Sequence, residues 1–392
     1  MATFASLSLS LASSGGSSLV ASVILIIVAL AFAWNLGVHY TGAVMGMPFA
    51  ARAIALWPAL LLIGALIILG ATFASGRVET TVGRHIINDH YVQTPDAIVI
   101  ILAAGALTML YNYWKIPTST IQILVFCVVG VGLAGGIPIY WKTIGQLAIV
   151  WVIAPVAAFG LGYLFTRLLD LAIPPAVAHA QAEAQIALAT PQAQTQSRWG
   201  WFARWFPGVA LAQRPTPAVR VAMKNTPGVA GRVALVMLRA LPALLVAVGV
   251  FASFVLGAND VSNATGAFIL THLFSLMVAG LLGGVAMAVG TLTWGRRILH
   301  TVAFDVVKMD ITMASAAQGV QALVVLIAVT QGYFTSMNQA LIGAMAGTGL
   351  ARGRETVQRK QIIGILRGWV IGPLSGLALA FALEFITRLI VR

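Results

Sequence analysis

The sequence predicts an all-α polytopic membrane protein built from two inverted repeats of about five or six helices, with broken half-helices at the midplane of the membrane. Three observations lead to this fold class. The composition is that of a membrane protein, the apolar stretches form two sets around a polar linker, and the two sets share short matching motifs in the same order.

The composition excludes a soluble domain. Of the 392 residues, 60% are hydrophobic and only 8% are charged, and the mean hydropathy is +0.95, whereas soluble domains carry about 25% charged residues. The apolar runs are long and contain Gly and Pro, so they predict membrane helices and not the short alternating strands of an outer-membrane barrel. A soluble enzyme is thereby excluded, and the single cysteine, Cys127, excludes a disulfide scaffold.

Ten apolar stretches are candidate spans, five on each side of the linker. In chain order they lie near residues 18–36, 55–75, 97–113, 119–135, 143–168, 234–256, 268–293, 313–333, 337–351 and 361–386. The predicted domains are therefore an N-terminal tail at 1–17, a first membrane repeat at 18–171, a basic linker at 172–233 and a second membrane repeat at 234–392.

The linker at 172–233 determines the predicted sidedness. If it is cytoplasmic, alternation of the spans puts most of the other Lys and Arg residues on the same side, as the positive-inside rule requires. We therefore predict a multi-pass protein of the cell membrane with a cytoplasmic linker, and the net charge of +13 needs no nucleic acid partner. Trp199, Trp201 and Trp205 lie among arginines, which indicates either a segment lying on anionic lipid or simple anchoring of the linker.

The two halves of the chain contain an internal repeat. With a shift of 220 residues, Gly37–Gly46 lies over Gly257–Gly266, and with a shift of 217, Thr118–Gln122 lies over Thr335–Gln339. Because each half has an odd number of spans, equivalent elements are expected to cross in opposite directions. This is the inverted repeat of secondary transporters, which bind substrate near the midplane between the repeats.

The segment Gly257–Gly266 places polar side chains inside a hydrophobic region. A carboxylate, two carboxamides and two hydroxyls are costly in hydrocarbon unless they are paired or line a wet cavity. We expect the two terminal glycines to let the helix unwind, and Asp260, Ser262 and Asn263 to offer oxygen ligands to a small hard cation such as Na⁺. The alternative is a broken helix in which the Asn and Asp side chains only cap the ends.

Two short apolar runs begin with hydroxyl residues. Ser119 and Thr120 follow Pro117, and Ser336 follows Gly332, so both groups are expected to cap the N-termini of half-helices. Two opposed helix N-termini, each carrying roughly half a positive charge, would favour a tetrahedral oxyanion between them. Plain helix capping is the alternative.

Three other carboxylates, Glu79, Asp305 and Asp310, are expected to be solvated helix ends. The sequence contains no recognisable nucleophile and base pair, phosphate-binding Walker loop or metal-ligand cluster. The chain is therefore predicted not to be an enzyme, to hold no resident cofactor, and to use at most a coupling Na⁺ or H⁺.

The motif Gly257–Gly266, together with Thr293–Thr301 and Gly347–Arg352, resembles the second repeat of the inorganic phosphate transporter (PiT) family. The resemblance covers both membrane halves. It implies a cation-coupled symporter of inorganic phosphate, usually driven by Na⁺ or H⁺, with an inverted-repeat helical core and often dimeric. By position, it assigns phosphate and cation contacts to Asn259, Asp260, Asn263, Ser119 and Ser336.

The first repeat departs from the pattern of this family. His39 and Tyr40 stand where the family has an Asn-Asp pair, and the family glutamate is absent at Thr80 unless Glu79 supplies it from the neighbouring position. A degenerate first motif is similar to the sulfate permease branch of the family, whose first repeat also begins with a stretch like the one at Asn35. Asn35 and His39 therefore join the predicted substrate contacts.

Together these features predict a secondary active transporter that moves inorganic phosphate across the cytoplasmic membrane on a Na⁺ or proton gradient, with membrane lipid and a second copy of the chain as partners. Retention of Asp260 favours phosphate, because a carboxylate can accept a hydrogen bond from the O–H group that phosphate retains at neutral pH. A sulfate permease, a passive anion channel and a non-transporting membrane subunit are the alternatives.

Overall fold

The computed structural model describes residues 16–114, 118–173, 200–212, 229–301, 309–353 and 359–391. Described helices of the first half are α1 (Gly16–Ala50), α2 (Leu56–Phe73), α3 (Gly76–Arg84), α4 (Thr94–Tyr113), α5 (Thr120–Gly135) and α6 (Trp141–Ala172). Two short helices, α7 (Gly200–Trp205) and α8 (Pro207–Ala212), lie in the predicted linker. Those of the second half are α9 (Val229–Asp260), α10 (Ser262–Leu270), α11 (Leu276–Thr293), α12 (Gly295–Thr301), α13 (Ile311–Thr330), α14 (Met337–Ala351) and α15 (Arg359–Val391).

The helix lengths confirm an all-α, multi-pass membrane protein. Within the described residues, eight helical segments are long and apolar enough to cross a membrane. The predicted spans 119–135 and 337–351 are not among them. They correspond to α5 and α14, whose 16 and 15 residues extend about 24 and 22 Å at 1.5 Å per residue, less than the ~30 Å hydrocarbon core. Counting these two stretches as full spans is therefore wrong, whereas their prediction as half-helices fits the observed lengths.

The predicted unwinding across Gly257–Gly266 is also wrong. A single residue, Val261, separates α9 from α10, and it keeps right-handed helical angles (φ −57°, ψ −36°). The two helices together form one candidate span of 32 residues. Gly257 is needed for close packing instead, because a Cβ atom there would overlap the carbonyl oxygen of Ile67 in α2.

The two halves pack against each other reciprocally. A Cβ atom on Gly37 would overlap the carbonyl oxygen of Met287, just as one on Gly257 would overlap that of Ile67, and both relations use the same shift of 220 residues. Other reciprocal contacts pair Gly70 with Phe254 and Gly290 with Trp34, and Gly130 with Leu377 and Gly347 with Phe159. Likewise, α5 packs on α15 and its equivalent α14 packs on α6. Such exchange is expected of two halves related by a pseudo-twofold axis; their opposite orientation in a membrane stays a prediction.

A buried ion-pair cluster closes the C-terminal end of each half-helix. After α14, Arg352 pairs with Asp170 of α6 and with Asp310, which caps the N-terminus of α13. At the equivalent end of α5, Arg388 of α15 pairs with Asp96 in the first turn of α4. The prediction that Asp310 is a solvated helix end is therefore wrong: its charge is neutralised by Arg352, and its Oδ1 accepts the main-chain N–H groups of Thr312 and Met313.

The described part of the linker docks on the first half. The main-chain N–H of Ala55 donates to the carbonyl oxygen of Trp205, and that of Gly208 donates to the carbonyl oxygen of Arg52, both at 2.8 Å. The ring of Trp205 stays exposed, whereas Trp199 lies outside the described residues. These contacts fit an anchored linker, and its cytoplasmic location stays a prediction.

Candidate functional site

The polar motifs of both halves meet in the interior, where α1, α9 and α10 approach the N-termini of α5 and α14. All of these side chains belong to residues that have no solvent exposure. They are Tyr40, Ser119, Thr120, Asn259, Asp260, Ser262, Asn263, Thr335 and Ser336.

The carboxylate of Asp260 is the centre of this network. Asn259 Nδ2 donates to its Oδ2 at 2.8 Å, and Asn263 Nδ2 donates to its Oδ1 at 3.4 Å. The Asn263 side chain reaches it because a spacing of three residues places both on one helix face. The phenol of Tyr40 joins this network through Thr120, whose Oγ1 lies 2.7 Å from the Tyr40 hydroxyl and accepts from Asn263 Nδ2 at 3.3 Å. Within the described residues, no Lys, Arg or His side chain forms an ion pair with Asp260.

Asn259 holds the chain that leads into α14. Its Nδ2 donates to the carbonyl oxygen of Thr335 at 2.8 Å, and its Oδ1 accepts the main-chain N–H of Thr335 at 3.2 Å. This two-point contact fixes the start of the half-helix next to Asp260. Ser262, a predicted cation ligand, instead donates its hydroxyl proton to the carbonyl oxygen of Asn259 at 2.9 Å.

The two half-helices begin at equivalent caps, as predicted. Ser119 Oγ accepts the N–H of Gln122, and Ser336 Oγ accepts the N–H of Gln339, each at 3.4 Å. Gln339 Nε2 donates to Gln122 Oε1 at 3.2 Å. These two glutamines are equivalent under the shift of 217 residues, so equivalent residues of the two halves meet at the first turns of α5 and α14.

Several oxygen atoms of the polar network have no hydrogen-bond partner within the described residues. They are Asn263 Oδ1, Thr335 Oγ1 and Gln339 Oε1, all buried. A buried acceptor without a partner costs about 1–3 kcal/mol, and hard cations are bound through carboxylate, carbonyl and hydroxyl oxygens. These oxygen atoms are therefore suited as ligands of a small cation such as Na⁺. The first-turn main-chain N–H groups of α5 and α14 are suited to bind an oxyanion.

Asn35 and His39 form a second polar network beside the first. His39 Nδ1 lies 2.5 Å from Asn112 Oδ1, His39 Nε2 lies 3.1 Å from Asn338 Nδ2, and Asn112 Nδ2 donates to Asn35 Oδ1 at 3.3 Å. A donor at Nδ1 and an acceptor at Nε2 correspond to a neutral imidazole. The His39 ring packs edge-to-face on Tyr40, with centroids 4.6 Å apart, so Tyr40 connects the two networks.

Glu79 is a buried carboxylate, and its prediction as a solvated helix end is wrong. It has no solvent exposure, its Oε1 accepts the hydroxyl proton of Thr265 in α10 at 2.7 Å, and its Oε2 has no partner within the described residues. Burial raises the pKa of Glu79 to about 7. Asp305, which was expected to be similar, lies outside the described residues.

Sequence reasoning left Tyr40, Gln122, Gln339, Asn112 and Asn338 out of the site. The two glutamines could have been found, because they match each other in the internal repeat. The two asparagines have no polar equivalent in the other half, so the repeat could not indicate them.

An apolar cavity of about 760 Å³ lies between α5, α6, α14 and α15. Equivalent residues line it from both halves, including Trp151 and Trp369, and Gln122 is its polar member closest to the half-helix caps. An oxyanion needs hydrogen-bond donors, so this cavity is not suited to bind one. The polar network around Asp260 is the better candidate for the substrate site.

The known proteins that this chain resembles are transporters of phosphate or sulfate. The model of the phosphate transporter family matches residues 36–382. The chloroplastic inorganic phosphate transporter 2-1 of Arabidopsis thaliana is 26% identical, over 89% of this chain and 69% of its own. The sulfate permease CysP of Bacillus subtilis is also 26% identical, over 91% of this chain and 86% of its own.

A solved structure has the same fold. The structure of the sodium-dependent phosphate transporter superposes with a TM-score of 0.75, covering 95% of this chain and 100% of its own. At 22% sequence identity, this likeness concerns the fold.

Proposed function

The chain belongs to the phosphate transporter family, and on that premise we propose that it is a secondary transporter that moves inorganic phosphate across the cytoplasmic membrane, driven by a Na⁺ gradient. The resemblance of Gly257–Gly266 to this family is thereby confirmed. The names of the relatives support phosphate as the substrate, and the fold shared with a sodium-dependent transporter supports Na⁺ as the coupling ion.

The observation that carries the proposal is the buried carboxylate of Asp260 beside two half-helix N-termini. A buried carboxylate without a cationic partner is unfavourable by several kcal/mol. A bound Na⁺ would offset that cost, and the unpaired oxygens of Asn263 and Thr335 would complete its ligands. A bound Na⁺ would neutralise the carboxylate that repels the anion, and a bound anion would neutralise the helix N-termini that repel the cation. Cation binding and anion binding would therefore be coupled.

The oxyanion site of the proposal lies at the first turns of α5 and α14. The first four N–H groups of a helix lack partners within the helix, and the helix dipole favours a negative charge there. Ser119, Thr120 and Ser336 would add hydroxyl donors. Asp260, which accepts hydrogen bonds, suits phosphate because phosphate retains an O–H group at neutral pH.

Sulfate is the second candidate substrate, favoured by two observations. His39 and Tyr40 make the first-repeat side of the site uncharged, and a chain 26% identical to this one is a sulfate permease. Sulfate offers no proton to a carboxylate, so a site with fewer acceptors is better suited to it.

The membrane orientation and assembly are part of the same proposal. The basic linker is cytoplasmic by the distribution of Lys and Arg, the repeats are inverted, and alternating access occurs by rocking of one repeat against the other. Membrane lipid surrounds the chain, and a homodimer is the assembly expected from the family resemblance.

The test is uptake of labelled phosphate and labelled sulfate, side by side, into proteoliposomes with an imposed Na⁺ or proton gradient. The proposal predicts phosphate uptake that is accelerated by an inward Na⁺ gradient. Sulfate uptake with phosphate ignored would reassign the substrate, and acceleration by protons alone would reassign the coupling ion. Uptake that ignores both gradients would indicate a passive channel and contradict the proposal.

A further inference from the structure

Two equivalent three-helix units carry the half-helices. The first unit consists of α4, α5 and α15, the second consists of α13, α14 and α6, and in each unit the three helices contact one another. The third helix of each unit comes from the opposite half of the chain. The two units touch at the first turns of α5 and α14, where Gln339 Nε2 donates to Gln122 Oε1.

The apolar cavity of about 760 Å³ lies between these two units. Its volume is within the range of about 300–1,000 Å³ that is typical of ligand pockets. Of the described residues that line it, none is charged, and only Gln122, Trp151 and Trp369 have polar side-chain atoms. Trp151 Nε1 already donates to the carbonyl oxygen of Phe334 at 3.1 Å. A ligand of this cavity must therefore be apolar.

The internal repeat explains why the space exists. With the shift of 217 residues, the bulky Phe126 of α5 lies over Gly343 of α14, and both residues line the cavity. Gly343 has no room for a side chain, because a Cβ atom there would overlap the carbonyl oxygen of Pro155 in α6. The next lining residue of α14 is Ala346, which is also small. The α14 wall thus contributes no bulky side chain at either position, and the space stays open.

The cavity opens towards the hydrocarbon of the membrane. Its rim includes Val152 of α6 and Val370 and Leu374 of α15, which are all more than half exposed. These residues lie within candidate membrane spans, whereas Gln122 in the depth of the cavity is buried. Water is not a suitable occupant, because a water molecule in a cavity needs about two to four polar partners.

We propose that this cavity binds one acyl chain of a membrane phospholipid, inserted between the two units and reaching towards Gln122. An acyl chain is apolar along its length, and it is the medium that surrounds the rim. An empty cavity loses the dispersion contacts of its lining, and a chain that enters restores them. A helix of a second copy is about 10–12 Å across, so it would cover the rim without filling the depth. The inference does not depend on which ion the protein transports.

The first experiment maps where acyl chains contact the full chain in phosphatidylcholine vesicles. A small fraction of the phosphatidylcholine carries a photoactivatable diazirine at the end of one acyl chain, and labelled residues are identified by mass spectrometry after illumination. A bound chain predicts several-fold more label on Phe126 and Ile342, which line the cavity, than on Leu61 and Leu281. These two leucines are more exposed, and they lie on α2 and α11 outside the cavity.

Label that follows exposure alone, with more on Leu61 and Leu281 than on Phe126 and Ile342, overturns the inference. The same result is expected if a second copy of the chain covers the rim, so that outcome also overturns it.

The second experiment blocks the cavity. Ala346→Phe places a ring in its depth and Val152→Phe places one at its rim, and each should lower the label on Phe126 several-fold. Val285→Phe is the matched control, because Val285 is an exposed residue of α11 outside the cavity, and it should leave this label unchanged. Size-exclusion profiles verify folding. Unchanged label on Phe126 in both folded variants overturns the inference, and if Ala346→Phe does not fold, Val152→Phe decides.

Discussion

At the scale of single residues, the site depends on how two buried carboxylates are satisfied. Asp260 accepts hydrogen bonds from Asn259 and Asn263, whereas Glu79 accepts one from Thr265, and its Oε2 has no partner within the described residues. Neither forms an ion pair within the described residues. Asp260 is therefore surrounded by groups that could share in binding a cation, whereas burial disfavours the charged form of Glu79.

The Glu79 carboxyl should make the stability of the protein depend on pH. Its pKa is about 7 in the folded protein against 4.5 for the unperturbed group, so the folded state holds the proton more tightly. Its contribution to the free energy of unfolding is then present below the unfolded pKa and is lost as pH rises to about 7, a change of about 3 kcal/mol. Glu79→Gln should remove this loss.

The check is the unfolding temperature of the detergent-purified protein at pH 5 and at pH 8. The unmodified protein should lose more stability between these values than Glu79→Gln does. An equal loss in both proteins would show that Glu79 is not the group responsible.

At the residue scale, the sequence predicted a buried polar network where its residues are concentrated in one segment; their role in binding stays a prediction. Asp260 was predicted because a carboxylate inside an apolar helix is costly and demands a role. Glu79 was not, since its partner Thr265 is far away in the chain, and a short polar helix resembles a solvated turn. Tyr40 was noticed only as a departure from a motif, because an aromatic residue in an apolar helix is ordinarily core.

At the scale of elements, the half-helices α5 and α14 give the site its positive potential. Both begin at buried serine caps, and their first turns touch through Gln122 and Gln339. Neither is long enough to cross the bilayer, so their N-termini are held inside the protein. That position makes two helix ends available to one ligand.

Removing either cap should weaken anion binding. Ser119→Ala and Ser336→Ala each remove a proposed hydroxyl donor to the oxyanion and a cap that is worth about 0.5–2 kcal/mol. We expect the apparent KM for phosphate to rise several-fold in each variant, and to a similar extent because the positions are equivalent. Ser275→Ala is the control, since Ser275 precedes α11 without a side-chain cap bond.

The measurement is the phosphate dependence of initial uptake in proteoliposomes. If the apparent KM is unchanged in both variants, Ser119 and Ser336 serve only as structural caps and the anion lies elsewhere.

The elements themselves were predicted well where hydrophobicity determines them. The long apolar runs became spanning helices, and Pro117 and Gly332 preceded the half-helices. The Gly257–Gly266 segment was predicted to unwind because its glycines permit it, but they are helical and serve close helix contacts. Sequence spacing cannot distinguish these uses, because both require the absence of a side chain and only the neighbouring helix decides between them.

At the scale of the whole molecule, the reciprocal contacts make the two halves one structural unit. Gly37 and Gly257 each lie against a main-chain carbonyl of the opposite half. The site residues Tyr40 and Asp260 each follow one of these glycines by three residues. The internal repeat predicted that the halves are alike, but it could not predict that each half contacts the other at equivalent positions. That exchange places Tyr40 next to Asp260.

Adding one methyl group at either glycine should destabilise the protein. Gly37→Ala and Gly257→Ala each force a Cβ atom into a backbone carbonyl, which typically costs about 1–3 kcal/mol. The control is Gly145→Ala in α6, where a Cβ atom meets nothing within 4 Å and where alanine favours the helix by roughly 0.5–1 kcal/mol. The unfolding temperature in detergent should fall in the first two variants and not in the third. Tolerance of one substitution but not the other would contradict the reciprocal packing.

The proposed role of Asp260 is to couple the cation gradient to movement of the oxyanion. Its most direct test is Na⁺-driven uptake of labelled phosphate by the unmodified protein and by Asp260→Asn, with Asp89→Asn, a half-buried surface carboxylate, as the control and size-exclusion profiles to verify folding. We predict that Asp260→Asn is folded but has lost uptake that responds to the Na⁺ gradient, while Asp89→Asn keeps it. Full gradient-driven uptake by Asp260→Asn would contradict the claim.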